Sequence, residues 1–414
     1  MLRFFFFVTF VSLCEKKQFS GENSLTIKLV KKGEAHMQYF TAFIFSIFLF
    51  ISGNLLASPP MISGGGYHSL ALKSDGTVWS WGRNNFGQLG NGKHSKKNIP
   101  VLVKELEDVI AIAAGTWHSM ALKSDGTVWT WGLNNYGQLG DGTFRNRKTP
   151  VQVKNLTDVI AIAGGYLHSL ALKSDGTVWA WGSNWSGQLG NETIVGASEI
   201  PIQVNSLSNI SAIACGGDHS LAIRSSDGTI WAWGNNFYGQ LGNGSGTNTT
   251  APVLVNGLSD VSKVNGGYIH SLALVSDGSV WTWGNNRYGQ LGDGSTREER
   301  RTPVQVMNID SITSISARGW HNLALHSEGK VFSWGNNSNG QLGDGTRTER
   351  HIPVEVKELE DITDISTGWQ HSLALKSDGT VWAWGDNKFG QLGDGTFKDR
   401  KTPVPVKNFS VNYD

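Results

Sequence analysis

The chain has 414 residues, with 35 Lys/Arg against 34 Asp/Glu and 17% charged side chains. Its 52 Gly and 17 Trp describe a turn-rich, aromatic-packed all-β protein and exclude a coiled-coil or disordered chain. Six Lys/Arg and three Asp/Glu fall in the first 57 residues, leaving a near-neutral body of 29 basic and 31 acidic side chains; this gives no electrostatic reason to expect nucleic acid as a partner.

The front segment, residues 1–57, differs from the rest. Met1 to Leu13 is rich in Phe, a lysine-bearing stretch follows, and a second apolar run extends from Tyr39 to Ala57. No charged residue occurs between His36 and Lys73. Phe40 to Ile51 has the length of a signal-peptide apolar region, and Asn54-Leu55-Leu56-Ala57 ends in a small residue suited to cleavage. The reading is an exported protein, periplasmic, cell-surface or extracellular; an uncleaved N-terminal membrane anchor is the alternative, since the run approaches the ~20 residues that span a bilayer. Met37 is an alternative start of translation. Of the two cysteines, Cys14 lies in this leader and Cys215 is alone beyond it, so no intrachain disulfide forms in a cleaved mature chain.

From residue 58 onward one unit is written seven times. Its histidine recurs as His68, His118, His168, His219, His270, His321 and His371, and a repeat of this length is one supersecondary unit completed by its neighbours. In the third copy HSLAL is a short apolar strand, and Ser-Asp-Gly-Thr supplies a tight hairpin turn with both central residues at positive φ. Val178-Trp179-Ala180-Trp181-Gly182 follows, its two tryptophans on one side of a strand. After the Gly187-Gln188-Leu189-Gly190 turn, a polar loop leads to a strand at Pro201-Ile202-Gln203-Val204, and Ile210 to Ala214 leads to the next histidine. Four short strands per unit, repeated radially, predict a seven-bladed β-propeller of four-stranded antiparallel blades, with residues 58–414 as one domain.

The ends predict how the ring closes. The first copy lacks a Pro-Val strand upstream, whereas the last carries Pro403-Val404-Pro405-Val406 and then Phe409-Ser410-Val411. The expectation is a ring closed by N- and C-terminal strands, the tail docking beside the opening HSLAL segment and removing the last free edge.

Three blocks carry a resemblance: Gly-x-x-His-Ser-Leu-Ala-Leu, Asp-Gly-x-Val-Trp-x-Trp-Gly and Asn-x-x-Gly-Gln-Leu-Gly. They resemble the repeat of the regulator of chromosome condensation family over roughly residues 62 to 410. The resemblance implies a seven-bladed propeller closed by strands from both termini. It implies little about function, because propellers of this type serve unrelated purposes. The ultraviolet-B photoreceptor of the family senses through Gly-Trp-Arg-His-Thr segments, which Gly319-Trp320-His321 and Gly368-Trp369-Gln370-His371 match only in part.

Neither catalytic nor metal-binding residues are expected. The histidines stand one per blade without a carboxylate or Cys at ligand spacing, and each is read as bonding to backbone at the start of its strand. The Asp-Gly pairs are turn chemistry, and no paired carboxylates or Ser-His-Asp set appear. No cofactor is implied. Differences between copies point instead to recognition. Just before each histidine stand Tyr67, Trp117, Tyr166, Asp218, Tyr268, Trp320 and Trp369. Their loops leave the blades at one edge, so these residues should gather on one face near the axis, with the composition of a protein-binding hot spot. A second difference is the loop after each Gly-Gln-Leu-Gly turn, basic in five blades and neutral in the third and fourth, which reads as a solvated rim or as an attraction for an anionic partner.

The sequence therefore predicts a non-enzymatic, exported recognition or scaffold module, monomeric, binding a protein partner through one face, without nucleic acid and with no membrane contact beyond the N-terminal segment. Guanine-nucleotide exchange on a small GTPase, which the family name implies, is the alternative. It calls for a cytoplasmic or nuclear location and an inserted wedge, for which the 50- and 51-residue intervals leave no room.

Overall fold

The computed structural model describes residues 59–193 and 196–412, so the leader reading of residues 1–57 falls outside the described residues. Every regular element described is a strand. Seven four-stranded antiparallel sheets form, each from one unbroken stretch of chain. In blade 1 the order from the inner to the outer edge is Met61–Gly64, His68–Leu72, Val78–Gly82 and Lys97–Leu102. The other blades repeat it, ending with blade 7 at Ile362–Thr367, His371–Lys376, Thr380–Gly385 and Arg400–Ser410.

The turn between the second and third strands follows from its four residues, though not as the sequence suggested. Only the glycine takes positive φ, 79° at Gly76. The Gly76 amide bonds to the Lys73 carbonyl and the Lys73 amide to the Thr77 carbonyl, which is a type I turn followed by a left-handed glycine bulge. Asp75 Oδ1 accepts from both the amide and the hydroxyl of Thr77, and Thr77 Oγ1 in turn accepts from Trp79 Nε1 at 3.2 Å. The aspartate is thus committed to holding a hairpin.

Seven buried clusters lie at the seams between blades rather than within them. At the first seam Leu70, Leu72 and Val103 of blade 1 pack on Val109, Ile112 and Trp131 of blade 2. The second tryptophan of each pair, Trp81, Trp131, Trp181, Trp233, Trp283, Trp334 and Trp384, is fully buried, and each such ring contributes on the order of 3–5 kcal/mol relative to alanine. Nothing in one blade can bury this surface alone, so the repeats stand or fall with their neighbours.

The seventh seam closes the circle by a different route from the one expected. The Pro403-Val404-Pro405-Val406 strand is not surplus: it pairs with the third strand of its own blade, Trp382 opposite Pro405 and Ala383 opposite Val404. Blade 1 already has its inner strand, with Ile62 opposite Ala71. That strand is short: Pro59 stands at the position of Val109 and Val159 and lies outside it, so the buried valine is absent there. The C-terminal tail supplies it. Val411 is fully buried with Ile62, Ala71 and Trp81 of blade 1 and Leu373 of blade 7. Its amide donates to the Gly379 carbonyl as the Ile362 amide does to Gly329, and its carbonyl accepts from the Ser74 amide. Both termini therefore close the ring, through a composite inner strand rather than a borrowed outer one.

Candidate recognition face

In each blade the loop before the histidine and the loop after the second tryptophan emerge at the same end, as antiparallel order requires. Backbone bonds join them: the Arg83 amide donates to the Tyr67 carbonyl, and Leu133, Ser183 and Asn235 repeat the bond to Trp117, Leu167 and Asp218. Neighbouring blades are joined as well, by Gly66 N to Thr116 O, Thr116 N to Gly165 O, Tyr166 N to Gly217 O and Tyr268 N to Gly319 O.

Beneath these loops the histidines form a belt. Their side chains do not bond to local backbone, as the sequence reading had it, but reach the next blade: His68 Nε2 lies 2.9 Å from Ser119 Oγ, His118 from Ser169 at 2.9 Å, and so on through Ser220, Ser271, Asn322 and Ser372. Each hydroxyl is also a donor. Ser119 Oγ bonds to the carbonyl of Gln88, which accepts from Trp131 Nε1 too. The serine proton is thus spent on the carbonyl, so the imidazole carries its own proton on Nε2. The glycine three residues earlier packs directly on the ring: a Cβ on Gly65 would lie 2.2 Å from His68 Cε1. Burial holds the imidazoles far below their ordinary range, to about 3 at His118, His168, His219, His321 and His371 and about 4 at His270. They are structural and neutral. Among the described residues no three His, Cys, Asp or Glu side chains are grouped to hold a metal ion.

The residues singled out before the histidines do converge. Trp369 meets five of them: ring centroids lie 5.5 Å away at Tyr67, 6.1 Å at Trp117, 5.8 Å at Tyr166, 5.7 Å at Tyr268 and 5.8 Å at Trp320. Most of these contacts are edge-to-face, and only Trp320 stacks, at 16°. All six rings are half-buried. Asp218 is the exception. Tyr166 and Tyr268 touch each other at 5.7 Å across its blade, and Asp218 itself accepts from Gln188 Nε2 at 3.2 Å, its carboxyl pushed up by burial.

Two positions at this face escaped the sequence reading. Arg318 stands where the other six copies have Gly. The inner strands of neighbouring blades are tied by Ser63, Asn265, Ser316 and Ser366, each accepting from the next strand's amide. Blades 2 to 4 have Ala113, Ala163 and Ala214 there, which cannot do so. On that side Arg318 crosses from blade 6 and donates to the carbonyls of Ala114 and Gly164, the latter at 3.1 Å. Burial lowers it to about 10, still charged at neutral pH. A break in a sevenfold Gly was visible in the sequence. The second is Arg83, whose guanidinium lies 4.9 Å from the Trp117 centroid and 4.7 Å from that of Phe389.

The basic loops are less free than their composition implied. Arg147, Arg300, Arg350 and Arg400 each clasp an aspartate of their own loop: Asp141 at 2.6 Å, Asp293 at 2.8 Å, Asp344 at 2.6 Å and Asp394 at 2.7 Å. The remaining three blades have Asn91, Asn191 and Asn243 at the aspartate position and no arginine partner. Acid and base come and go together, so these charges serve the loop first.

Fold and face together define a closed seven-bladed propeller with a ring of aromatic loops at its axis. The chain belongs to the RCC1-like domain family, whose model matches residues 54–360; the regulator of chromosome condensation (RCC1) repeat matches at residues 362–391 and 378–413. Among curated proteins it is similar to the ultraviolet-B receptor UVR8 of Arabidopsis thaliana, 34% identical over 153 residues that make up 35% of this chain and 34% of that protein. It is also similar to the E3 ubiquitin-protein ligase HERC2 of Homo sapiens, 32% identical over 32% of this chain and 3% of that protein. The matches thus span about a third of the first of those relatives and 3% of the second. Human WBSCR16 superposes with a TM-score of 0.72 at 25% identity, over 80% of this chain and 94% of that one. Prp20p of Saccharomyces cerevisiae gives 0.72 at 24% over 86% and 88%, a likeness of fold.

Proposed function

We propose that the chain is a non-catalytic recognition module that binds another protein through the aromatic face. The observation that carries this reading is the convergence of five half-buried rings, from five other blades, on the half-buried Trp369. Rings held edge-to-face by one another are preorganised, so little rotamer freedom remains to be lost on binding. Tyr, Trp and Arg are also the residues that dominate binding energy at protein interfaces. The apolar leader supports a location outside the cytoplasm, either free or tethered by that segment.

The experiment is affinity capture with the intact chain and with a variant carrying Tyr67→Ala, Trp117→Ala, Trp320→Ala and Trp369→Ala. Loss of the captured partner from the variant, with its melting transition retained, is expected; a partner list unchanged by the four substitutions would sink the reading. Nucleotide exchange on a small GTPase is the competing role that the family name carries, and purified protein that accelerates nucleotide release would establish it instead.

A further inference from the structure

The near-zero charge of the propeller conceals a separation between its two ends. When each strand is divided at its midpoint, the end bearing the aromatic loops carries eighteen Lys/Arg and twelve Asp/Glu among the described residues. The end bearing the Ser-Asp-Gly turns and the connections between blades carries eleven and eighteen. The disc is thus about +6 on one face and −7 on the other.

The positive face is itself uneven. Blade 1 brings Arg83, Lys93, Lys96 and Lys97 with no acid at that end, and blade 2 brings Arg145 and Lys148 beyond its clasped pair. Blades 3 and 4, next to them, have only acids there, Glu192, Glu199 and Asp218. They also expose the two most accessible large apolar side chains described, Trp185 at 66% and Phe237 at 68%, at equivalent positions of adjacent blades. A basic sector therefore adjoins an apolar one on the face that carries the aromatic ring.

Arg83 lies where the basic sector meets the ring. Tyr67, Trp117 and Phe389 surround its guanidinium with centroids at 5.8, 4.9 and 4.7 Å. Its Nε is buried with no hydrogen-bond partner, and no carboxylate lies within 4.0 Å of it among the described residues. Contacts to ring faces hold a guanidinium in place but leave its in-plane donors unused. The terminal Nη1–Nη2 edge, rather than the buried Nε, is the fork that a planar carboxylate can meet.

We propose that this face docks an acidic polypeptide segment carrying an apolar side chain, with Arg83 receiving one of its carboxylates and Trp185 and Phe237 covering its apolar part. The proposal rests on the protein-binding reading above and names the chemistry of the partner. A nucleic acid fits less well. Its bases find no platform, because the central rings are locked against each other rather than open for stacking.

Three fluorescein-labelled probes test this by anisotropy with the whole purified protein: a peptide of about twenty residues with Glu and Asp around a central Trp, its Gln and Asn isostere, and an oligodeoxythymidylate of similar length. The acidic peptide should bind at least roughly tenfold more tightly than the isostere, weaken as salt rises, and lose roughly tenfold on Arg83→Gln but not on Lys154→Gln at the opposite end. Equal binding of the two peptides, no binding of the acidic one, indifference to Arg83→Gln, or oligonucleotide binding as tight as the peptide's would each overturn it. The two readings separate through Tyr268→Ala with Trp320→Ala, away from Arg83. Loss of both peptides there, with no preference for the acidic one, leaves the aromatic face standing and removes the carboxylate site. An acidic peptide sensitive to Arg83→Gln but untouched by that pair keeps the carboxylate site and removes the aromatic ring.

Discussion

His371 Nε2 lies 3.0 Å from Ser69 Oγ, a residue 302 positions earlier in the chain. It is the last link of the histidine belt, joining blade 7 to blade 1 with the same pair of atoms that joins five of the other six seams; the remaining one pairs His270 with Asn322 Oδ1. The hydroxyl passes its proton to the Gln391 carbonyl, which also receives Trp81 Nε1. A His-Ser dipeptide repeated at blade spacing, with His321-Asn322 as its one variant, is thus two halves of seven bonds, each half facing the other way.

The belt sets a pH limit. Burial lowers the imidazoles in the folded state to about 3 or 4, whereas they take up protons near 6.5 when unfolded. The unfolded state therefore binds more protons between those values. The stability is fully present above about pH 6.5 and is lost as pH falls towards 3, by up to about 1.4 kcal/mol per histidine for each unit. Thermal melts should show a midpoint that is flat above pH 7 and drops steeply below pH 6. A midpoint level down to pH 4 would show that the imidazoles are not buried neutral.

Ring closure rests on Val411, which is fully buried at the seventh seam. Val411→Asp places an unpaired carboxylate there and should cost upwards of about 3 kcal/mol. Val411→Ile should be nearly neutral. Hydrogen exchange should report the opening first at Ser74 and Val411, whose amides bond across the tail, before it reaches the seams of blades 3 to 5.

Arg318→Gly restores the residue that the other six copies carry, yet it should destabilise. The carbonyls of Ala114 and Gly164 lose their donor, at about 1–3 kcal/mol. Chemical denaturation decides it, with Arg318→Lys as a partial rescue because a single ammonium cannot serve both carbonyls in the same geometry.

The Asp-Arg clasp predicts coupling. Asp141 is almost fully buried, but Arg147 is 35% exposed, so a double-mutant cycle on the two should give no more than about 1 kcal/mol of interaction energy. Installing the pair in blade 1 as Asn91→Asp with Lys97→Arg should give a gain of similar or smaller size, and Asn91→Asp alone should give none.

Much of this was legible in the chain. The seven histidines fixed the blade count, Asp75-Gly76-Thr77 the hairpin, and the alternation of Trp79 and Trp81 the buried side of a strand. What failed was the phase of the blade. Taking the histidine strand as the start makes Pro403 to Val406 look surplus, whereas Met61–Gly64 is already an inner strand. The target of each imidazole was hidden because its acceptor lies one repeat away, beside the next histidine. Total charge hid the division between the faces, since a sum over residues carries no information about which end of a strand they occupy.

The most direct test of recognition by the aromatic face is oxidative footprinting of the whole protein with and without its captured partner. Protection of Tyr67, Trp117, Tyr166, Tyr268, Trp320 and Trp369, with the opposite end at Trp79 and Trp129 unchanged, is the predicted result. Protection confined to the Ser-Asp-Gly end, with the axial rings as reactive as in the free protein, would contradict it.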